Sequence, residues 1–256
     1  MIDLLGAVLL HLVWVAAVFT PLERMWPARG EPAGLRPAWR TDLVFYAAQG
    51  LLFTPAVAWV IHTAAAPLRN AAILAPAQAA FVTLPVFFQV VVVLVGADLF
   101  AYWGHRAQHA WEPLWRFHAI HHTAEHVDWL AAYREHPGDT LYTQALVNVP
   151  VLLLGFDLRA WLGLVVLRGS WAILVHSDVR LPLGPLRWIF GAPEFHRAHH
   201  DRDRHVGHYA NLAPWLDVLF GTHGPVGEPA RFGVNEPYPR SWVGMMVWPF
   251  RTRRRA

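Results

Sequence analysis

The chain contains no cysteine and no lysine. Without thiols it has no disulfides, no iron–sulfur clusters and no thiolate nucleophile. All 21 of its basic residues are therefore arginine. Charge of either sign is scarce, at 15% of residues, against ~25% in an ordinary soluble domain. In its place stand a 55% hydrophobic content and a mean hydropathy of +0.28. That balance puts the 256 residues among membrane proteins. A net charge of +3 with histidine neutral suits an anionic membrane surface better than nucleic acid. No repeat of fixed period and no low-complexity tract occurs. What the chain does have in excess is histidine, with 16, and tryptophan, with 14.

Leu4 to Leu22 holds no Asp, Glu, Lys or Arg and is long enough to span a bilayer. Met1-Ile2-Asp3 is not basic, which argues against a cleaved signal peptide. A loop with Arg24, Arg29, Arg36 and Arg40 follows. The second uncharged stretch is Leu43 to Leu68, with its core at Val44 to Ile61. After Arg69 the third runs from Ala71 to Ala97, with Pro76 in a first turn and Pro85 as a bend. Four arginines in the first loop against one in the second place the first loop in the cytoplasm, and with it the C-terminal end of the third span. Thr140 to Phe156 and Ala160 to Val175 are separated by Asp157 and Arg159, and Arg168 interrupts the second. They read as a short helical hairpin, either re-entrant or a tightly turned pair of spans. From His176 the chain is polar and ends in Arg251 to Arg255. Trp26, Trp39, Trp103, Trp111 and Trp115 fall near span ends, where indole rings favour the interface. The expected fold is an all-α integral membrane protein of about three transmembrane helices, a hairpin and a cytoplasmic histidine-rich cap. Its expected divisions are N-terminal helices with a basic loop (1–80), a catalytic region (81–225) and a basic cytoplasmic tail (226–256).

The histidines fall into groups: His105-Arg-Ala-Gln-His109, His118-Ala-Ile-His121-His122 and His196-Arg-Ala-His199-His200. Residues three and four apart share a helix face, so each group can present imidazoles to one centre. A lone histidine in a membrane helix is a packing residue, and His11 and His62 are of that kind. Eight in such spacing point to metal, and one site takes three or four ligands, so the number implies two ions. All-nitrogen ligation suits Fe, Zn, Ni or Mn. Two irons could oxidise a C–H bond; two zincs could only drive hydrolysis. Asp98, Tyr102, His105 and His109 follow a 4, 3, 4 spacing. A carboxylate on an apolar helix needs a partner. For Asp98 that partner is the distal nitrogen of a liganding histidine, or an arginine.

These motifs resemble the fatty acid hydroxylase and sterol desaturase superfamily of integral membrane di-iron enzymes. Asp98-Leu-Phe-Ala-Tyr102-Trp-Gly-His105-Arg106 with His109 is similar to its first histidine box, and Leu114-Trp115-Arg-Phe117-His118 leading to His121-His122-Thr123 to its second. Asp128-Trp129-Leu130, then Arg134, His136 and Pro137, resemble the stretch that follows. His176-Ser177 before Leu181-Pro182-Leu183-Gly184 resembles the intermediate histidine. Pro193 to His200 resembles the third box, and Tyr209, Asp217 and Phe220-Gly221-Thr222 the closing signature. His208 and Ala210 depart from it, standing where asparagine and glycine are more usual. The match covers roughly residues 90 to 223.

The resemblance implies metal ligation by His105, His109, His118, His121, His122, His196, His199 and His200, with His136 and His176 as further ligands. Asp98, Tyr102, His136 and His176 are the implied catalytic residues. His126, His205, His208 and His223 read as solvated. The implied activity is hydroxylation or desaturation of a lipid by two Fe ions with O2 as co-substrate; a di-zinc metallohydrolase or a non-redox metal-binding membrane protein is the alternative. Zinc is a possible substitute in purified protein. Electrons would come from a separate ferredoxin or cytochrome with its reductase. Arg106, Arg116, Arg197, Arg202 and Arg204 would either receive that donor or bind anionic headgroups. All-arginine basicity suggests a GC-rich bacterial gene, and so the inner membrane.

Overall fold

The computed structural model describes residues 3–30, 36–204 and 206–251. His205 and the arginines after Arg251 lie outside them. The chain is all-α, and three helices are long and apolar enough to cross a membrane. The first is α1, Leu4–Met25, capped by the Asp3 side chain, which accepts from the Gly6 amide at 2.7 Å. The second runs continuously over Trp39–Arg69 as α2 (Trp39–Ala48), a π turn (Gln49–Phe53) and α3 (Thr54–Arg69). The third is α5, Val86–Ala110.

The third span differs from the stretch expected at 71–97. Residues 72–82 form a separate short piece, ending in α4, Ala75–Val82. Pro76 does sit in the first turn of α4. Pro85 breaks the chain instead of bending it: it lacks an N–H and pushes Leu84 away from helical geometry. Gln89 caps the break by donating to the Leu84 carbonyl at 2.8 Å. The span therefore starts at Val86 and continues through Ala110, so Asp98, Tyr102, His105 and His109 ride on one rigid helix.

The hairpin is two short helices, α7 (Pro137–Leu153) and α8 (Leu158–His176). Gly155 turns the chain between them at φ +75, a region that favours glycine. Asp157 then caps α8 by accepting from the Ala160 amide at 2.9 Å. Phe81, Val93, Ala97, Val147, Val151, Phe156 and Trp161 form the core between α4, α5, α7 and α8. The remaining helices are α6 (Glu112–His122), α9 (Pro193–His199), α10 (Trp215–Leu219) and α11 (Trp242–Val247). The described residues contain two isolated β-bridges, Pro27–Val179 and Asp201–Phe232, outside any named strand.

The stretch from residue 226, expected to fold back under the helices, packs there: Val234, Met245 and Trp248 share a core with Phe45, Ala119 and Ile120. One expectation changes. Arg36, counted among the loop charges, is buried between Asp42 (2.6 Å) and Asp128. Arg134 reaches the other oxygen of Asp42 at 2.6 Å. This network fastens the 123–136 loop to α2, underneath the histidines of α6.

Candidate metal centre

The C-terminal ends of α5 and α8 meet α6 and α9 at one end of the bundle. There nine histidines form two groups able to hold a metal ion each. His105, His109, His118, His122 and His199 make one, His121, His176, His196 and His200 the other. Within each group the presented nitrogens all lie within 4.8 Å of one another. The first box, His105 and His109, stays in one group, while the i, i+3, i+4 spacing splits the second and third boxes between the groups. His118 and His122 face one centre and His121 the other, and His199 is parted from His196 and His200 in the same way.

Hydrogen bonds at the outer nitrogens set the tautomers. His105 Nδ1 meets the Tyr209 carbonyl at 2.9 Å, and His199 Nδ1 the Gly207 carbonyl at 2.6 Å. His176 Nδ1 meets the Ala172 carbonyl at 2.6 Å, and His118 Nδ1 the Asp139 carboxylate at 3.1 Å. An oxygen acceptor there requires an N–H at Nδ1, which leaves the Nε2 lone pair to point inward. Inside, His105 Nε2 and His199 Nε2 are buried with no hydrogen-bond partner among the described residues. Nε2 atoms in the second group approach at 2.9 Å (His176 to His121, and His176 to His196) and 3.0 Å (His196 to His200). Converging lone pairs without donors are costly unless a cation lies between them, so the donor set fits metal ions. Burial, and then the neighbouring rings, hold His118, His121, His122, His196, His199 and His200 well below the usual imidazole range. They are neutral, the state a ligand needs.

Three sequence-selected residues stand elsewhere. His136 is outside both groups. As the cap of α7, its Nδ1 accepts from the Gly138 amide at 3.0 Å, and its Nε2 lies 3.2 Å from the Met246 carbonyl. Among the described residues Asp98 contacts no histidine nitrogen. It accepts from the Leu212 and Ala213 amides at 3.1 and 2.8 Å, and Arg168 lies 3.5 Å away. Tyr102 is fully buried, its hydroxyl 2.8 Å from Thr222 Oγ1. Asp139 is the carboxylate that orients a histidine, and sequence reasoning passed it over. Gln108 donates to its other oxygen. Its position in the first turn of an apolar helix, two residues after Pro137, was the available signal. Burial and the neighbouring Glu135 push the Asp139 carboxyl upward.

The periphery also differs in places. Arg197, read as part of a docking face, is buried against Asp178 at 2.9 Å and Glu228. Arg106 bonds the Tyr102 hydroxyl at 3.3 Å, and Arg116 pairs with Glu112 at 3.1 Å. His208, read as solvated, is buried at φ +59, a conformation asparagine adopts more readily. Trp115 lies beside the centre, its ring tilted against His109 at 5.0 Å and against His122 at 5.4 Å.

Two cavities reach the histidines. One of about 250 Å³, walled by α5, α7 and α8, touches both groups through His105, His118, His121, His176 and His196. The other, of about 620 Å³, is polar and touches the first group through His109, His122 and His199, with Arg202 and Arg204 on its wall.

Known proteins match this region. The fatty acid hydroxylase family matches residues 90–222. The ornithine lipid hydroxylase OlsE of Rhizobium tropici is 34% identical over 176 residues, which is 67% of this chain and 53% of that protein. Alkylglycerol monooxygenase of Homo sapiens is 30% identical over 147 residues, 56% of this chain and 32% of its own. Very-long-chain aldehyde decarbonylase GL1-11 of Oryza sativa subsp. indica is 32% identical over 141 residues, 52% of each chain. The chain thus spans a third to a half of the length of these relatives. No solved structure matches it significantly.

Proposed function

The chain belongs to the fatty acid hydroxylase family, and from that premise we propose that it is a membrane di-iron oxygenase that hydroxylates or desaturates a lipid. The observation that carries this is the pair of histidine groups opening into one cavity between apolar helices. His105, His109, His118, His122 and His199 would hold one iron, and His121, His176, His196 and His200 the other. Iron bound there supplies activation of dioxygen and oxidation of an unactivated C–H bond.

The protein's own part is positioning. The Tyr209, Gly207 and Ala172 carbonyls and the Asp139 carboxylate hold the rings at the angle the ions need. Val147, Trp161 and Val165 line the cavity and exclude water from the reacting carbon. An external electron donor, a ferredoxin or cytochrome with its reductase, would approach from the polar cavity, where Arg202 and Arg204 replace the five-arginine face. The histidine end faces the cytoplasm of a bacterial inner membrane in this reading. His136 becomes a helix cap, and Asp98 and Tyr102 become supports of the closing loop.

The relatives are named for different lipids, so the test leaves the substrate open. Membranes with and without the gene are compared by lipid mass spectrometry, with a His199→Ala variant as control. A lipid that gains one oxygen or loses two hydrogens only with the intact protein is the expected result. Protein from iron-replete cells that carries zinc in both groups, and changes no lipid oxidatively, would favour the hydrolase instead.

A further inference from the structure

Glu135, Asp139 and Arg168 are the charged side chains of the cavity that opens on both histidine groups, and Arg168 is the one arginine among them. Trp161, Val165, Arg168, Ala172 and His176 line the cavity at a 4, 3, 4, 4 spacing, so they form one stripe of α8. Arg168 is buried, yet among the described residues its hydrogen bonding is one 3.5 Å contact to Asp98. A guanidinium has five N–H donors, and the Arg168 nitrogens that no protein group takes are not fully enclosed, so they open to the cavity. Asp98 offers it one oxygen, Oδ1, which also accepts from the Leu212 amide, while Oδ2 accepts from the Ala213 amide. Asn211, the residue just before that pair, also lines the cavity.

Charge limits what can complete the site. Asp98 already balances Arg168, so a second anion would leave net negative charge at a buried level. A neutral oxygen acceptor has no such cost. We propose that Arg168, with Asn211 beside it, binds the carbonyl oxygen of an ester- or amide-linked acyl chain and so selects which carbon reaches the histidines. This deepens the oxygenase reading and rests on it for the meaning of the reacting carbon. Two helices give the same depth for the anchor. Arg168 lies eight residues before His176 on α8, and Asp98 seven before His105 on α5. At 1.5 Å per residue these are roughly 12 Å and roughly 10 Å. The substrate is an acyl lipid oxidised well along its chain, not beside its carbonyl.

The test is a binding measurement without turnover. The full chain, metal-loaded in dodecyl maltoside, is titrated with spin-labelled methyl stearate, the corresponding spin-labelled octadecane and the free spin-labelled acid at alkaline pH. The immobilised fraction is read by electron paramagnetic resonance. The ester should bind about tenfold more tightly than the alkane, equivalent to about 1.4 kcal/mol, and more tightly than the ionised acid. Arg168→Met should abolish the ester preference, and Arg168→Lys should keep most of it. Equal binding of ester and alkane by the wild type overturns the proposal, as does a preference that survives Arg168→Met. Tighter binding of the ionised acid overturns the neutral-carbonyl assignment. If Arg168→Met does not fold, the wild-type comparison of the three probes decides. An intact ester preference in a protein that oxidises no lipid would sink the oxygenase reading and leave the carbonyl site standing.

Discussion

Asp139 and Asp98 are both buried carboxylates close to histidine-bearing helices, but their partners differ. Asp139 holds the ring of His118, so Asp139→Asn should weaken metal binding by ~10–100-fold. Asp98 holds the Leu212 and Ala213 amides. Asp98→Asn keeps only one acceptor and should cost about 1–3 kcal/mol of folding stability, with metal affinity falling less than in Asp139→Asn. Metal titration and thermal unfolding of the two variants separate these effects, and reversed outcomes would exchange the roles. The histidines themselves predict a pH response. In the unfolded chain they titrate near the ordinary value of about 6.5; in the metal-free fold, burial and the adjacent rings hold them lower. Above that value both states are neutral and the full stability is present. As pH falls below it, the unfolded chain takes up protons that the fold cannot, and stability is lost down through the depressed folded pKa values. Metal-free protein should melt progressively lower from about pH 7 to about pH 5. A flat profile would show that the rings protonate without cost in the fold.

At the scale of elements, the loop over residues 206–213 links the boxes. Its Gly207 and Tyr209 carbonyls orient His199 and His105, and its Leu212 and Ala213 amides hold it to α5. A side chain at Gly207 would run into the Thr222 carbonyl, a backbone atom that cannot swing aside. Gly207→Ala should therefore cost about 1–3 kcal/mol and weaken metal binding at the five-histidine group, as read by calorimetry and metal content. Normal behaviour in both would mean the loop shifts freely. Box spacing was legible because i, i+3, i+4 geometry is local. The loop was not, because nothing local says which carbonyl meets which imidazole. Pro85 lay between these cases: its effect on the helix was local, but whether the chain would bend or break depended on the Gln89 cap and on packing of α4.

For the whole molecule, the histidine groups join four separate helices, α5, α6, α8 and α9, at one end of an integral membrane protein. Ions bound there act as ties between elements, since anything that binds only the folded state stabilises it by mass action. Chelation should lower the melting temperature, and ferrous iron should restore it; an unchanged melting curve would show that the bundle holds without the ions. Composition and short-range spacing by themselves determined membrane residence, the existence of the first two spans, the hairpin and the histidine boxes. Each of these depends on hydropathy or on helical periodicity, which act within a few turns of chain. Only the tertiary structure decided that His136 caps a helix while His176 joins a group, and that Asp139 rather than Asp98 orients a ring. It also decided that the eight box histidines divide between two centres across the boxes, and that Arg168 lines the cavity that opens on both groups. Those outcomes depend on which helix faces meet across the bundle, and that is settled by packing and by the pairing of buried charge.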